Sequence, residues 1–243
     1  MINKPVDINY IFDEEGIQFL KEMGWYGSIA VQNHHEYDKK RFETVKRYGD
    51  DYGLKVYSGI KIVSKSSNEV IKLVKKYRNK VDIILVEGGI IKINRTALEM
   101  HDVDILSTPE LERRDCGIDH VLARLGSSHR VAIELNFKNL VNKKYYDRAR
   151  CLWVFRRNLL FAKKYNTPVV ISSNAKSIYD IKSPKDLRSF LNTLTDADAL
   201  YSKNILETPY KIAEYRKYLK NSGVIRYGVE IVVDNNLQIS KNQ

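Results

Sequence analysis

The sequence predicts an α/β protein folded as a TIM-like (β/α) barrel, with room for irregularity, and three observations lead there. Short β-branched runs alternate with helical stretches along nearly the whole chain, the order that produces a parallel sheet. Eight such runs fit within 243 residues, close to the roughly 250 residues of a (β/α)₈ barrel. No shift in composition divides the chain, so a single domain over 1–233 is expected, with 234–243 a flexible tail. The alternative is an open doubly wound sheet, weakened because no glycine-rich phosphate loop follows the first run.

The elements follow in order. Val6-Asp7-Ile8-Asn9-Tyr10 reads as a strand, and Asp13 then caps a helix through Ile17, Leu20 and Met23 to Gly24. Ser28 to Gln32 is the next strand, followed by a polar helix containing Phe42, Val45 and Tyr48. Lys55 to Val63 is a third strand. Ser66 opens a helix, with Glu69 three residues on completing a capping box, and Val70, Leu73, Val74 and Tyr77 form its apolar stripe. Strands continue at 82–86, 104–106 and 131–135. A long helix from Tyr145 to Tyr165 buries Leu152, Phe155 and Leu159, presents Arg150, Arg157 and Lys164 on a second face, and leads to the strand Val169–Ser172. Ser183-Pro184 and Thr208-Pro209 each set a hydroxyl before a proline at a first helical position, so each starts a helix, the second ended by Gly223. Val224 to Val233 contains the eighth strand. Trp25, Trp153, Tyr77 and Tyr215 are read as packing residues.

Composition narrows the function. A 43% hydrophobic share is enough for a buried core and argues against general disorder. Cys116 and Cys151 are too few for a disulfide framework and lack metal-site spacing. With no signal-peptide pattern and no apolar run long enough to span a bilayer, a cytoplasmic protein without membrane contact is expected. Lys and Arg outnumber Asp and Glu by 41 to 30, a net charge of +11. That excess favours a polyanionic partner, because nucleic-acid affinity is built largely from phosphate neutralisation.

In barrels, function gathers at the C-terminal ends of the strands. The residues there include Asp7, Asn9, the run Gln32-Asn33-His34-His35, Lys61, Glu87, Arg95, Glu134, Asn136 and Ser172-Ser173-Asn174-Ala175-Lys176. Gly27 to His34 resembles the strand ending in Thr-Asp-His of the polymerase and histidinol phosphatase superfamily of metal-dependent phosphoesterases, and Ser173-Asn174-Ala175-Lys176 resembles its late Ser-Asp-Ala-His. Only His34 matches a ligand of that pattern. Asn174 and Lys176 stand where Asp and His would be, Asp7-Ile8-Asn9 holds the place of the opening His-x-His, and Lys61 that of a strand-end glutamate. The resemblance implies a barrel frame that has lost its metal site; a phosphoesterase using His34 with Asp7, Glu87 or Glu134 is kept as the alternative.

A narrower match covers nearly the full length. Val6-Asp7-Ile8-Asn9, Gly24-Trp25-Tyr26-Gly27, Arg113-Arg114-Asp115-Cys116-Gly117-Ile118-Asp119-His120 and Val170 to Ala175 are similar, in order and spacing, to the archaeal ribonuclease P protein component 3 family. That resemblance implies a non-catalytic subunit that binds the ribonuclease P RNA, joins component 2 and the other protein subunits, and helps trim the 5′ leader of precursor tRNA. It implies no cofactor or metal on this chain, with magnesium held by the catalytic RNA. The RNA contacts expected on this reading are Lys61, Arg95, Arg113, Arg114, His120 and Lys176, the arginines because a guanidinium binds phosphate bidentately and stays charged. For Arg113 and Arg114 the competing reading is an ion pair at a helix start with Glu110, Glu112 or Asp115.

Overall fold

Every predicted apolar run from Val6 to Ser172 is a strand of one parallel sheet. The computed structural model describes residues 4–195, 199–220, 224–226 and 229–230. The strands are β1 Val6–Asn9, β2 Gly27–Asn33, β3 Lys55–Ile62, β4 Ile83–Glu87, β5 Ile105–Ser107, β6 Ala132–Asn136 and β7 Val169–Ser172, hydrogen-bonded in sequence order. The connecting helices are α1 Glu14–Glu22, α2 Lys39–Tyr52, α3 Ser67–Tyr77, α4 Ile91–Glu99, α5 His120–His129, α6 Phe137–Asn142 and α7 Tyr145–Tyr165, followed by α8 Pro184–Thr195 and α9 Ala199–Lys220.

The period-two alternation of the strands separates two layers. Val6, Ile8, Ile29, Val31, Tyr57, Ile83, Leu85, Ile105, Ala132 and Val170 pack together inside the barrel. The alternate residues, such as Ala30, Ile60, Ile62, Ile84, Val86, Leu106, Ile133 and Ile171, face the helices. Trp25 is 2% exposed in the helix layer and donates from Nε1 to the Lys182 carbonyl at 2.9 Å.

The eighth barrel strand is a correction. The described part of 224–233 forms β8 Val224–Arg226 and β9 Val229–Glu230, an antiparallel pair separate from the large sheet. The physical reason is that no free edge is left for it. Past the end of β7, Asn174 N–H donates to the Ile8 carbonyl at 3.0 Å and Tyr10 N–H to the Ala175 carbonyl at 2.8 Å. Asp7 adds a side-chain clasp, accepting from Ser173 N–H at 2.8 Å and from Ser173 Oγ at 2.5 Å. Seven strands therefore form the nearly closed barrel, and the tail expected at 234–243 lies outside the described residues.

The bottom of the barrel is covered by α9. Ala213 packs into the interior cluster, Tyr210 meets the Tyr26 ring edge-on at 5.5 Å, and Tyr57 donates from its hydroxyl to Glu214 at 2.9 Å. Arg216 Nε donates to Asp104 Oδ1 at 2.5 Å, while Arg78 holds Asp104 Oδ2 at 2.6 Å. Lys220 reaches the Val81 carbonyl at 2.9 Å. These partners precede β4 and β5, so the helix crosses the N-terminal end of the sheet.

Two local expectations also change. Thr208-Pro209 does not start a helix but lies inside α9, where Pro209 is buried beside Ile205 and Leu206; burial of this apolar face outweighs the missing N–H, and Thr208 Oγ1 donates to the Asn204 carbonyl at 2.8 Å. The capping box at Ser66 does not form, because Glu69 pairs instead with the Ser64 hydroxyl at 2.5 Å, and Ser64 Oγ also accepts from Ser66 N–H.

Asp104→Ala removes the carboxylate shared by two largely buried arginines and by Ile84 N–H. The expected loss is about 3–5 kcal/mol, seen as a lower urea midpoint at unchanged slope; a midpoint equal to wild type would show that α9 is not held by this pair.

Candidate functional site

The alternation that puts Tyr57, Leu85 and Val170 inside the barrel puts Lys61, Glu87, Ser107, Glu134 and Ser172 at its C-terminal mouth. Lys61 Nζ lies 2.8 Å from Glu87 Oε2 and is 8% exposed. Burial works against its ammonium, but Tyr10, Glu134 and Glu87 together hold its pKa above the ordinary lysine value. Burial in turn pushes the Tyr10 hydroxyl up, with Lys61 opposing. Both oxygens of Glu134 are engaged: Ser107 Oγ donates to Oε2, and Ser172 Oγ (2.6 Å) and Asn174 Nδ2 (2.8 Å) donate to Oε1. Asn174 adopts a left-handed backbone conformation, φ 50°, which asparagine tolerates better than most residues and which turns its amide back onto the mouth.

This chemistry does not fit a hydrolytic metal centre. The central position is filled by an ammonium, and Glu134 has no oxygen without a donor. Asp7 faces the seam instead of the mouth, and burial, the dominant cause, raises its pKa to about 6. His34 accepts from Val63 N–H through Nδ1 at 3.3 Å and lines an outer cleft with His35, Tyr37, Lys76 and Tyr77. Among the described residues no three His, Cys, Asp or Glu side chains come together as a ligand set.

The residues singled out in the sequence fall into three places. Lys61 is inside the mouth, where its ammonium meets Glu87 and not solvent, which differs from the expected phosphate contact. Lys176 is exposed at the rim, its Nζ 5.7 Å from the Tyr10 ring centre. Arg95 and His120 are exposed on α4 and α5; Arg95 donates to Glu99 at 2.8 Å, a solvated pair on its own helix.

Arg113 and Arg114 share the loop from β5 to α5, which is fastened from within. Asn94 donates from Nδ2 to the Pro109 and Gly117 carbonyls, both at 2.9 Å, and accepts from Gly89 N–H at 3.0 Å. Gly117, at φ 70°, allows the loop to close, since a Cβ there would collide with the Pro109 carbonyl oxygen. Arg113 forms a fork with Asp115 at 2.7 and 2.6 Å, so the ion-pair reading holds for it. Arg114 is exposed and pairs with no carboxylate among the described residues.

Around this loop the surface is cut by clefts. One of about 360 Å³ brings Arg113 and Arg114 together with Lys143 from the α6–α7 link and Arg150 of α7, with Glu110 and Glu112 also in its walls. A neighbouring one is lined by Arg114, Tyr146, Ala149, Arg150 and Trp153. The packing expectation for Trp153 is thus corrected: it is 51% exposed, standing on the surface and not in the core. Its signal was present in the spacing, because Tyr146, Ala149, Arg150 and Trp153 repeat at three, four and seven residues and so share one stripe.

A family model described as RNase P subunit p30 matches residues 6–221. The chain belongs to the ribonuclease P subunit p30 family. It is similar to the ribonuclease P protein component 3 of a Methanococcus maripaludis strain, with 62% identity over 232 residues that cover 96% of this chain and 99% of the relative. It is also similar to that of Methanocaldococcus jannaschii, with 59% identity over 227 residues, 93% of this chain and 97% of the relative. A chain in a cryo-EM structure of archaeal ribonuclease P with mature tRNA superposes with a TM-score of 0.86 at 58% identity, over 95% of this chain and 99% of that one. An adenine deaminase from Arthrobacter aurescens, 10% identical with a TM-score of 0.50 over 82% of this chain and 72% of that one, shares the fold alone.

One buried acid near the Arg113–Arg114 loop carries a pH signature. Glu110 is 8% exposed and its Oε2 has no hydrogen-bond partner. Burial, with Glu134 adding, pushes its pKa from 4.5 to about 7. The folded state therefore holds this proton where the unfolded state has lost it, so stability from this group falls as pH rises from about 4.5 to about 7. Glu110→Gln should melt higher than wild type at pH 8 and equal to it near pH 4.5. Thermal melts across that range check this, and a variant no more stable at pH 8 would show that Glu110 is not buried as a strained acid.

Proposed function

We propose that this chain is a non-catalytic protein subunit of ribonuclease P that binds the ribonuclease P RNA through the cleft face around the β5–α5 loop. The observation that carries the site assignment is the convergence of Arg113 and Arg114 from the β5–α5 loop with Lys143 and Arg150, four cations that outnumber Glu110 and Glu112 in the same cleft, on a chain with net charge +11. Cations collected this way neutralise phosphates and release counterions, which sets RNA affinity. Asp115 holds Arg113 in place, leaving Arg114, Arg150 and Lys143 as the phosphate contacts, with Lys176 a further contact at the rim. Arg95 and His120 form an outer margin of the same reading. Lys61 serves inside the mouth as the fixed cation that neutralises Glu87 and Glu134.

In this reading catalysis belongs to the RNA and its magnesium, and the protein screens phosphate repulsion and fixes RNA shape during removal of the 5′ leader from precursor tRNA. Component 2 and the other protein subunits are the proposed protein partners, and the cytoplasm the proposed compartment; no helix among the described residues is long and apolar enough to cross a membrane. The phosphoesterase reading is not favoured, because Lys61 fills the position where its cation would sit.

Cleavage of precursor tRNA by the reconstituted RNA and proteins tests this. Leaving out the chain should raise the magnesium requirement, and the Arg114→Ala, Arg150→Ala double variant should bind the RNA more weakly, its log–log salt dependence shallower by roughly one for each phosphate that is no longer neutralised. Unchanged cleavage on omission would sink the subunit reading.

A further inference from the structure

We infer that the cleft between Tyr146 and Trp153 on α7 takes a single unpaired nucleotide of RNA, its base stacked on the indole and its phosphate held by Arg114 and Arg150. The inference rests on the RNA-binding reading above and adds the kind of RNA element this face selects. Five side chains line the cleft: Arg114, Tyr146, Ala149, Arg150 and Trp153. Two are guanidiniums and two are large aromatic rings, and none is a carboxylate. The cleft on the other side of Trp153 differs, since Asp115 and Asp119 among its walls offset Arg113 and Arg157 and leave no excess of positive charge.

The spacing suits one base. Tyr146 and Trp153 are seven residues apart, so their Cα atoms are separated by about 10.5 Å along the helix. A base covered on both faces would need rings roughly 7 Å apart, from the ~3.4 Å rise of stacked bases, so this wider gap admits one base stacked on the indole, with Tyr146 bounding its other end. Ala149 lies between them and leaves the floor open. Tyr146 is 79% exposed and Trp153 51% exposed, an arrangement of apolar rings toward solvent on a helix that buries Phe155 and Leu159 on its other side. Aromatic rings flanked by cations are the means by which proteins hold splayed single-stranded bases, whereas a paired duplex keeps its base faces covered. Trp, Tyr and Arg also form the centres of protein interfaces, but the absence of any acidic group from the lining and the excess positive charge favour a phosphate-bearing occupant.

The full chain offers a direct readout, because its two tryptophans differ: Trp25 is 2% exposed and Trp153 is open. A short single-stranded oligoadenylate should quench the tryptophan emission, and a blunt RNA duplex should not. Trp153→Ala should weaken oligoadenylate binding by about five- to a hundredfold, Tyr146→Ala should weaken it in the same direction, and Trp153→Phe should keep most of the affinity while losing the quench. Undiminished oligoadenylate binding by Trp153→Ala overturns the inference. If the same variant also fails to join the other protein subunits, the cleft is a protein interface. The parent reading fails separately: it falls if the Arg114→Ala, Arg150→Ala double variant binds ribonuclease P RNA as wild type does, while a weakened double beside an unaffected Trp153→Ala removes the stacking site alone.

Discussion

The architecture depends on how β1 and β7 are joined, and the Asp7 carboxylate is the interaction that joins them. A parallel barrel of eight strands closes by pairing its first and last strands, but here the sheet ends at seven. The remaining gap is bridged past the end of β7, where Asn174 and Ala175 bond to Ile8 and Tyr10 and Ser173 is held by Asp7. Burial favours the neutral acid at Asp7, yet the donors from Ser173 and Asn9 compensate the desolvated carboxylate. Everything above the seam inherits its position from this closure. Asn174 is turned onto Glu134, Tyr10 is set beside Lys61, and Lys176 is placed over Tyr10.

The mouth that results is filled instead of open. Glu87 and Glu134 come from adjacent parts of one sheet, and burying them without a counter-charge would cost several kcal/mol per ion. Lys61 supplies that charge from β3, and three donors from β5, β7 and the β7 exit complete Glu134. A hydrolytic barrel keeps such carboxylates available to a metal and a water; here the same positions hold one another. With the centre closed, the open clefts lie outward, at the β5–α5 loop and along α7. The loop around Arg113 is fastened by Asn94 and Gly117, and Asp115 holds the Arg113 guanidinium in place, which limits the entropy that loop would lose on binding.

Much of this was legible in residues and spacing. The seven strands fall within a residue or two of the apolar runs, and α7 spans Tyr145–Tyr165 as its periodicity required, because β-branched runs and helical stripes report local burial directly. What failed was information held in tertiary pairing. The eighth strand has suitable residues, but whether an edge is free for it depends on the Asn174–Ile8 seam, which no local pattern encodes. Thr208-Pro209 looks like a helix start until the burial of Ile205, Leu206 and Ala213 on either side of it is known. Lys61 reads as a surface phosphate contact because its alternation places it at the mouth, while Glu87, its partner, lies a strand away.

Trp153 shows the same limit from the other side. A large aromatic residue is expected to be buried, and on α7 the buried stripe runs through Cys151, Val154, Phe155, Asn158, Leu159 and Ala162. Trp153 follows Cys151 by two residues and precedes Phe155 by two, which on a 3.6-residue helix turns it about 200° from each and so off the core stripe. Its placement thus follows from phase, not from hydrophobicity. The helix devotes one face to the barrel and lines an outer cleft with Tyr146, Arg150 and Trp153 on another, so the long element that completes the packing of the fold also carries the surface proposed to meet the RNA.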